Sequence, residues 1–568
     1  MVAKQNEPIF REEDLPALTI PAYYEQMCLT HGATKAFTVV LPKGSEASTN
    51  FTDNLEMTRA MAAYLREELG LKEGDVVGLQ SPNCLTYPII AQAILMAGLI
   101  LTNINPLYTP KEVHHQLTDA KVKVLFVLDL FGAGVAEAID GTDVQHVISG
   151  SLVDLFPPVR KIYVTTIMRL KRAIPKFSVA RKDTFLSALK KGRAFIAKGV
   201  DVAAYTKNTK AESIALYQYT GGTTGKSKGA MLTHKNLISN LHQLTLADPN
   251  MFGEGTLENK NVILMLPLYH VYAFLFGILV APTTGSHVIL IPSPRPMSNV
   301  RIAMERYPPV ILPALNTLFQ NLLDEPWFVA NPPKTLMHCV SGAAALSKVI
   351  ADKFEALVHA PILEGYGMTE STAVLSFSRS FRPNKFGTVG LPIPGTELKL
   401  MKSDGEEAEQ GERGEIWAKG PQIMAGYLNR TDATKDTLQD GWLKTGDVGI
   451  FDEDGELRIV DRVKDMIIVS GFNVYPTEIE EALVTHPKIA EATVVGILDD
   501  HAGERPVACV VVTDSSLTKE DVITHCRKTL TGYKIPKDVI FVKELPKSPV
   551  GKVLRRILRD QVRSGEIT

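Results

Sequence analysis

The stretch Tyr217–His234, YQYTGGTTGKSKGAMLTH, gathers glycines, hydroxyls and lysines in a pattern that suits phosphate. Gly221, Gly222 and Gly225 let backbone N–H groups approach an anion closely, Thr220, Thr223, Thr224 and Ser227 add hydroxyl donors, and Lys226 and Lys228 add charge. The letters GKS inside it resemble the end of a Walker A loop. That motif needs a first glycine where Thr220 stands, and a helix opening directly behind it. Here an extended pattern, SIALYQYT (213–220), leads in, and a second extended run, AMLTH, leads out before a helix begins near Thr233. The expected unit is strand–loop–strand, with no helix dipole aimed at the phosphates. By composition alone, a flexible loop without function could share these letters.

Five further stretches carry chemistry-bearing residues. In EGYGMTEST (364–372) a glycine-bracketed Tyr366 precedes Thr369 and Glu370, a turn that could present a ring, a hydroxyl and a hard oxygen ligand. Taken alone, a structural turn accounts for it better. SGAAAL (341–346), KTGDVG (444–449), IVDRVKDMIIVSGFNVYPTEIE (459–480) and LPKSPVGKVLRR (545–556) supply small residues, Asp447, Arg462 and Lys552. In isolation Lys552 reads as an inert surface lysine, and His270 in LPLYHVYAF (266–274) as a satisfied core residue.

These residues need elements to hold them, and the chain is long enough to build several. It has 568 residues, 45% hydrophobic and 22% charged, so more than one domain is expected. The formal charge of −2 provides no global field for nucleic acid. Five scattered cysteines show neither metal-ligand spacing nor a disulfide framework, which suits a reducing, cytoplasmic setting. The N-terminus lacks the apolar core of a secretion signal. Tyr87–Leu101 is strongly apolar but shorter than the roughly 20 residues of a membrane span, so a buried helix followed by a core strand is expected and no transmembrane helix. Residues 160–198 hold twelve lysines and arginines against one acid, Asp183. A solvated face explains them; the interleaved apolar residues equally allow peripheral contact with an anionic membrane.

The first half alternates helical and β-rich runs: 57–69 helix, 76–82 strand, 111–120 helix, 123–129 strand, then 262–268 strand and 344–357 helix. That rhythm predicts an α/β fold with βα-layered subdomains on parallel sheets. After Gly387, Gly- and Pro-rich short strands predict a small β-barrel or meander over about 387–460. From Val463 a compact α+β tail begins, with strands at 489–498 and 507–514 and a helix at 477–486 capped by a Thr477/Glu480 box. The predicted domains are 1–462 and 463–568, with the boundary at Asp461–Lys464.

Together the motifs resemble those of the adenylate-forming enzymes, which include acyl-CoA synthetases, firefly luciferases and peptide-synthetase adenylation domains. They stand in that family's order from Thr220 to Arg556. The resemblance implies ATP, Mg²⁺ and CoA as cofactors. YTGGTTGKSKG would hold the β- and γ-phosphates, although Ser227 replaces the usual proline. Gly342 and Ala343 would line the adenine pocket, Tyr366 between Gly365 and Gly367 would stack on the base, Thr369 would touch the α-phosphate, and Glu370 would hold the metal. Asp447 and Arg462 would bind ribose, Lys552 would bridge the carboxylate and α-phosphate, and Lys464 would be the hinge of a mobile C-terminal domain. Ser470, Gly471 and Phe472 would line the CoA channel, and His270 would stand near the reacting carbonyl.

Within that family, NINPLYTPKEVHHQL (103–117), ILEGYGMTE, DMIIVSGFNVYPTEIE and LTGYKIPK (530–537) are most similar to long-chain fatty-acid–CoA ligases. The segments expected around the acyl site, 271–282, 311–323 and 371–377, are apolar and offer no charge for an amino group. Medium-chain, aromatic or hydroxycinnamic acids stay open at this point, as does luciferase-like oxidation of an adenylate. The terminal SGEIT is unlike a peroxisomal signal and weakens that last reading. An inactive nucleotide-binding protein is disfavoured because every catalytic residue of the motifs is present. A homodimer is compatible with the sequence.

Overall fold

The computed structural model describes residues 8–176, 179, 183–220, 227–470, 472–499, 501–548 and 552–567. The chain divides into two compact units, Ala3–Glu397 with Lys419–Leu443, and Leu398–Ala418 with Lys444–Thr568.

The larger unit carries two sheets. One runs in the order Asp183–Thr184, His146–Gly150, Val122–Leu128, Val76–Gln80, Ile100–Ile104, Ile214–Thr220, Lys228–Thr233. Its strands are parallel up to Ile214–Thr220, which then turns back on Lys228–Thr233 as an antiparallel hairpin. The two strands expected on either side of the glycine-rich run are therefore present. The second sheet has nine strands with a parallel centre running from Ile362–Tyr366 through His338–Ser341, Pro309–Ala314, Asn261–Leu264 and His287–Leu290 to Lys35–Val40.

The apolar run at 87–101 becomes the helix Thr86–Met96, buried at every residue, followed by the core strand Ile100–Ile104. A helix apolar on all sides is stable only when enclosed on all sides. Its one phenol, Tyr87, donates to Asn103 Oδ1 at 2.6 Å in the first sheet, and also contacts the Leu268 carbonyl at 2.9 Å beyond a strand of the second. Both sheets are thus tied through one buried hydroxyl. Among the described residues no helix is long and apolar enough to cross a membrane. All five cysteines are buried and unpaired.

The helix expected from residue 344 starts only at Lys348. Ser347 is extended, with φ −75 and ψ 130, and its N–H donates to Asn316 Oδ1 at 2.9 Å, so the first turn forms beyond it.

In the smaller unit, Glu397–Met401, Gly414–Lys419 and Trp442–Phe451 are neighbours in one sheet, and Leu457–Arg462 pairs antiparallel with Trp442–Phe451. A second sheet orders Phe472–Val474, Ile467–Val469, Gly503–Val512 and Ile489–Asp499, with Asp538–Phe541 added parallel to Gly503–Val512. Lys464 lies on the short 3-10 turn Val463–Asp465. The expected capping box does not form. The helix begins at Pro476, its cap residue is Tyr475, and Glu480 turns away to the half-buried Arg555.

Candidate active site

The two strands of the glycine hairpin are in register up to its mouth, where Thr220 pairs with Lys228. Gly221, Gly222, Thr223, Thr224, Gly225 and Lys226 lie outside the described residues. Tyr219 donates to Asp119 Oδ2 at 2.8 Å, Arg430 pairs with the other oxygen of Asp119 at 3.4 Å, and His115 Nε2–H donates to the Ser227 carbonyl at 3.1 Å. Gln218 is gripped at both ends of its amide, by Asn103 at 3.1 Å and by the Tyr269 carbonyl at 2.9 Å. The last contact sets His270 beside the hairpin's first strand. His270 caps the turn Val271–Phe274 by accepting from the Tyr272 N–H through Nδ1 at 3.4 Å, which assigns the ring proton to Nε2.

The strand Ile362–Tyr366 runs into a 3-10 turn, Thr369–Ser371. Gly367 admits no side chain, because a Cβ there would stand 1.8 Å from the Ala373 carbonyl oxygen. Thr372 and Ala373 hold left-handed angles, φ 63 and 139. Such backbone persists only where its surroundings over-determine it. Buried Asn240 does this, donating to the Val374 carbonyl at 2.9 Å and accepting from the Val374 N–H at 3.1 Å, while the Thr372 hydroxyl donates to the Gln422 carbonyl at 2.6 Å. On the neighbouring strand, a Cβ at Gly342 would meet the Gly365 oxygen and the Tyr272 ring at 3.5 Å, so the small-residue segment and the Tyr366 turn share one backbone-lined corner. Tyr366 and Thr369 are half-buried there.

Glu370 is only 6% exposed. Its Oε1 accepts from the Tyr427 hydroxyl at 2.6 Å, and its carbonyl accepts from the Met424 N–H at 2.9 Å. Burial, and then the charge of Glu370, push the Tyr427 phenol far above its ordinary value, so it stays a donor at every physiological pH. Segment Met424–Leu428 is also stitched to the hairpin. Ala425 N–H and Leu428 N–H donate to the carbonyls of Met231 and Gly229, and Met231 N–H donates to the Gly426 carbonyl, all at 2.8–2.9 Å. The Lys228 ammonium lies 5.1 Å from the centre of the Tyr427 ring. Tyr427 therefore connects the mouth of the glycine hairpin to the acidic turn. Sequence reasoning passed over it; its local signal is an aromatic directly behind Gly426.

The donor set around Glu370 fits Mg²⁺ of a particular kind. Among the described residues no cluster of three or more His, Cys, Asp or Glu could hold a metal. One oriented carboxylate suits a cation whose remaining ligands are substrate phosphates and water.

In the smaller unit Asp447 and Arg462 stand opposite each other in antiparallel register, with Arg462 Nε 3.2 Å from Asp447 Oδ1. Asp447 is buried and Arg462 is partly open. The residues flanking Arg462 and Lys464 are anchored by Arg555, a residue that motif reading left without a role. Its guanidinium meets Asp461 at 3.2 Å, Asp465 at 3.6 Å and Glu480 at 2.6 Å, and Arg559 adds a contact to Asp465 at 3.6 Å. Despite burial, which works against its charge, these carboxylates raise the Arg555 pKa. This network is why Glu480 abandons the helix cap: a half-buried cation requires countercharge more than a helix end requires a side-chain acceptor. Lys552 opens the segment that leads into Arg555; its N–H donates to Ser548 Oγ at 3.1 Å and its carbonyl accepts from the Ser548 N–H at 2.8 Å. Ser470 adopts φ +50, and Phe472 stacks on Tyr533 with centroids 4.7 Å apart. Gly471 lies outside the described residues.

Residues 26–428 match the family model described as AMP-binding enzyme, and residues 478–552 match the AMP-binding enzyme C-terminal domain. A long-chain-fatty-acid–CoA ligase of Yersinia pestis is 43% identical over 507 residues, covering 89% of this chain and 88% of that one. The corresponding ligase of Salmonella typhimurium is 40% identical over 554 residues, covering 97% of each. Among solved structures, ATP-bound MatB from Rhodopseudomonas palustris superposes with a TM-score of 0.79 at 26% identity, covering 94% of this chain and 98% of that one. A glycine hairpin and an acidic turn joined through one phenol thus sit within a chain that matches along nearly its whole length, and the protein belongs to the AMP-binding, adenylate-forming enzyme family.

Proposed function

We infer that the protein is an acid–thiol ligase that activates a long-chain fatty acid with ATP and passes the acyl group to CoA. The observation that supports the residue roles best is the Tyr427–Glu370 contact at the mouth of the glycine hairpin. A carboxylate is a poor acyl donor because its leaving group would be oxide. In the first step a fatty carboxylate oxygen attacks the α-phosphorus, the bond to the β-phosphate oxygen breaks, and pyrophosphate leaves. In the second, the CoA sulfur attacks the acyl carbonyl, AMP departs, and the thiol proton passes to solvent.

Two anions must meet in the first step, so charge neutralisation and in-line placement do most of the work. Thr220, Lys228 and the glycine run between them hold the β- and γ-phosphates. Gly342, Ala343 and Tyr366, flanked by Gly365 and Gly367, take the adenine, Thr369 takes the α-phosphate, and Asp447 with Arg462 takes the ribose. Glu370 holds Mg²⁺, which when bound neutralises charge on the triphosphate. Lys552 bridges the carboxylate and α-phosphate oxygens, and His270 lies by the carbonyl. Lys464 is the hinge: a change of φ/ψ there withdraws Lys552 and brings Ser470, Gly471 and Phe472 to the pantetheine arm. The buried helix-and-π stretch Val271–Val280 supplies apolar surface for the chain.

With ATP, Mg²⁺, CoA and palmitate the products are AMP, pyrophosphate and palmitoyl-CoA; ADP would contradict the mechanism. Lys552→Ala lowers adenylate formation by about 10²–10³-fold and spares thioester formation from supplied acyl-AMP. Equal loss in both half-reactions would remove the division of roles.

A further inference from the structure

The helix Pro158–Leu170 has two apolar faces, and the fold uses only one. Its inner face is set by Val164, the one buried residue, with half-buried Lys161 and Met168 on the same side. Val159, Ile162, Tyr163, Thr166 and Leu170 recur at the i, i+3, i+4, i+7 spacing of a single stripe, which points opposite Val164. Val159 is 80% exposed, Ile162 68%, Tyr163 61% and Leu170 79%. Single exposed apolar residues are ordinary; four aligned on one helix face mark a contact surface.

Along the chain, the charge on the helix and its continuation has one sign. Arg160 and Arg169 flank it, and Lys171, Arg172 and Lys176 follow, while no aspartate or glutamate occurs from Pro158 to Lys182. Arg169, Lys171, Arg172 and Lys176 are exposed. A second copy packed on this face in a two-fold interface would set each cationic rim against its own image. Charge complementarity instead calls for an anionic partner. An aliphatic stripe with one tyrosine and a basic border is the chemistry of a helix lying in a lipid interface, where Tyr163 sits at headgroup depth and the cations meet lipid phosphates.

We propose that the Pro158–Leu170 helix, continued by Lys171, Arg172 and Lys176, docks the protein peripherally onto an anionic lipid bilayer through Val159, Ile162, Tyr163 and Leu170. Such docking would place an enzyme acting on fatty acids at the surface where they partition. The surface stands independently of the site assignments, since none of its residues belongs to the hairpin, the Glu370 turn or the Arg555 network.

The test is co-sedimentation of the full chain with vesicles of phosphatidylcholine alone and vesicles that also contain phosphatidylglycerol. Two variants are compared, Ile162→Asn with Leu170→Asn, and Arg169→Glu with Lys171→Glu and Lys176→Glu. All five side chains are exposed, and AMP release with soluble octanoate, expected at the parent rate, verifies folding in each variant. Parent protein should bind the anionic vesicles at least tenfold better than the neutral ones, and either variant should lose about tenfold or more of that affinity. Unchanged binding in both variants, equal binding to the two vesicle types, or no binding at all would overturn the proposal. So would a parent dimer on size exclusion that the asparagine variant abolishes, since that would identify the stripe as a self-interface. Capture of an acidic protein without any vesicle binding would also contradict it. No AMP release by the parent from either octanoate or palmitate would instead count against the catalytic reading.

Discussion

Two regions of this molecule bury carboxylates, and they neutralise them differently. In the smaller unit Asp461, Asp465 and Glu480 converge on Arg555, so anionic charge is cancelled inside the protein. In the larger unit Glu370 is equally enclosed, yet its side-chain partner is the neutral phenol of Tyr427, and no ion pair to it occurs among the described residues. A hydroxyl fixes the carboxylate's direction without cancelling its charge. The first arrangement is complete as it stands and serves architecture, holding the residues on either side of Arg462 and Lys464. The second leaves negative charge for a cation to satisfy. Of these two carboxylate arrangements, the one with internal countercharge serves structure and the one without it is the candidate site.

The largest effect should come from breaking the structural network. Arg555→Leu leaves three carboxylates facing one another and should cost about 3–5 kcal/mol, seen in chemical denaturation as earlier loss of the smaller unit. A change below about 1 kcal/mol would mean those carboxylates find other partners. Next in size is Tyr427→Phe, which should raise the KM for MgATP by about 10–100-fold as the carboxylate loses its orientation while global stability falls by about 1–3 kcal/mol. An unchanged KM would place Glu370 among the structural carboxylates and erase the contrast.

The most gradual effect concerns how the larger unit excludes unpaired charge. His234, at the start of the helix that carries Asn240, is buried, and burial lowers its pKa to about 4. Its Nδ1 accepts from the Ile20 N–H at 3.3 Å, a bond that protonation would remove. The unfolded histidine titrates near 6.5, so the native state binds fewer protons between about pH 6.5 and 4 and stability falls on acidification by up to about 1.4 kcal/mol per pH unit. His234→Gln should flatten the urea-midpoint profile over that window; an unaltered profile would show that His234 is not the group responsible.

The hairpin was legible because alternation in SIALYQYT and the glycine punctuation are local signals, and strand–loop–strand followed from them. The fully buried helix at Thr86–Met96 was legible for the same reason. Tyr427 was not, because its partner lies 57 residues away. The Thr477/Glu480 cap misled because a good local rule was overridden by Arg555, 75 residues beyond Glu480. The late start of the helix at Lys348 likewise reflects an extended Ser347 whose N–H is taken by Asn316, 31 residues away. Local grammar identified the motifs; the contacts that orient them are long-range and visible only in the fold.

The most direct test of the oriented carboxylate is palmitate-dependent exchange of labelled pyrophosphate into ATP, measured without CoA for the parent and for Glu370→Gln. Glutamine keeps the shape and the Tyr427 contact but removes the charge. Exchange should be robust in the parent and fall by about 10²–10³-fold in the variant. Exchange at the parent rate in Glu370→Gln would contradict the account.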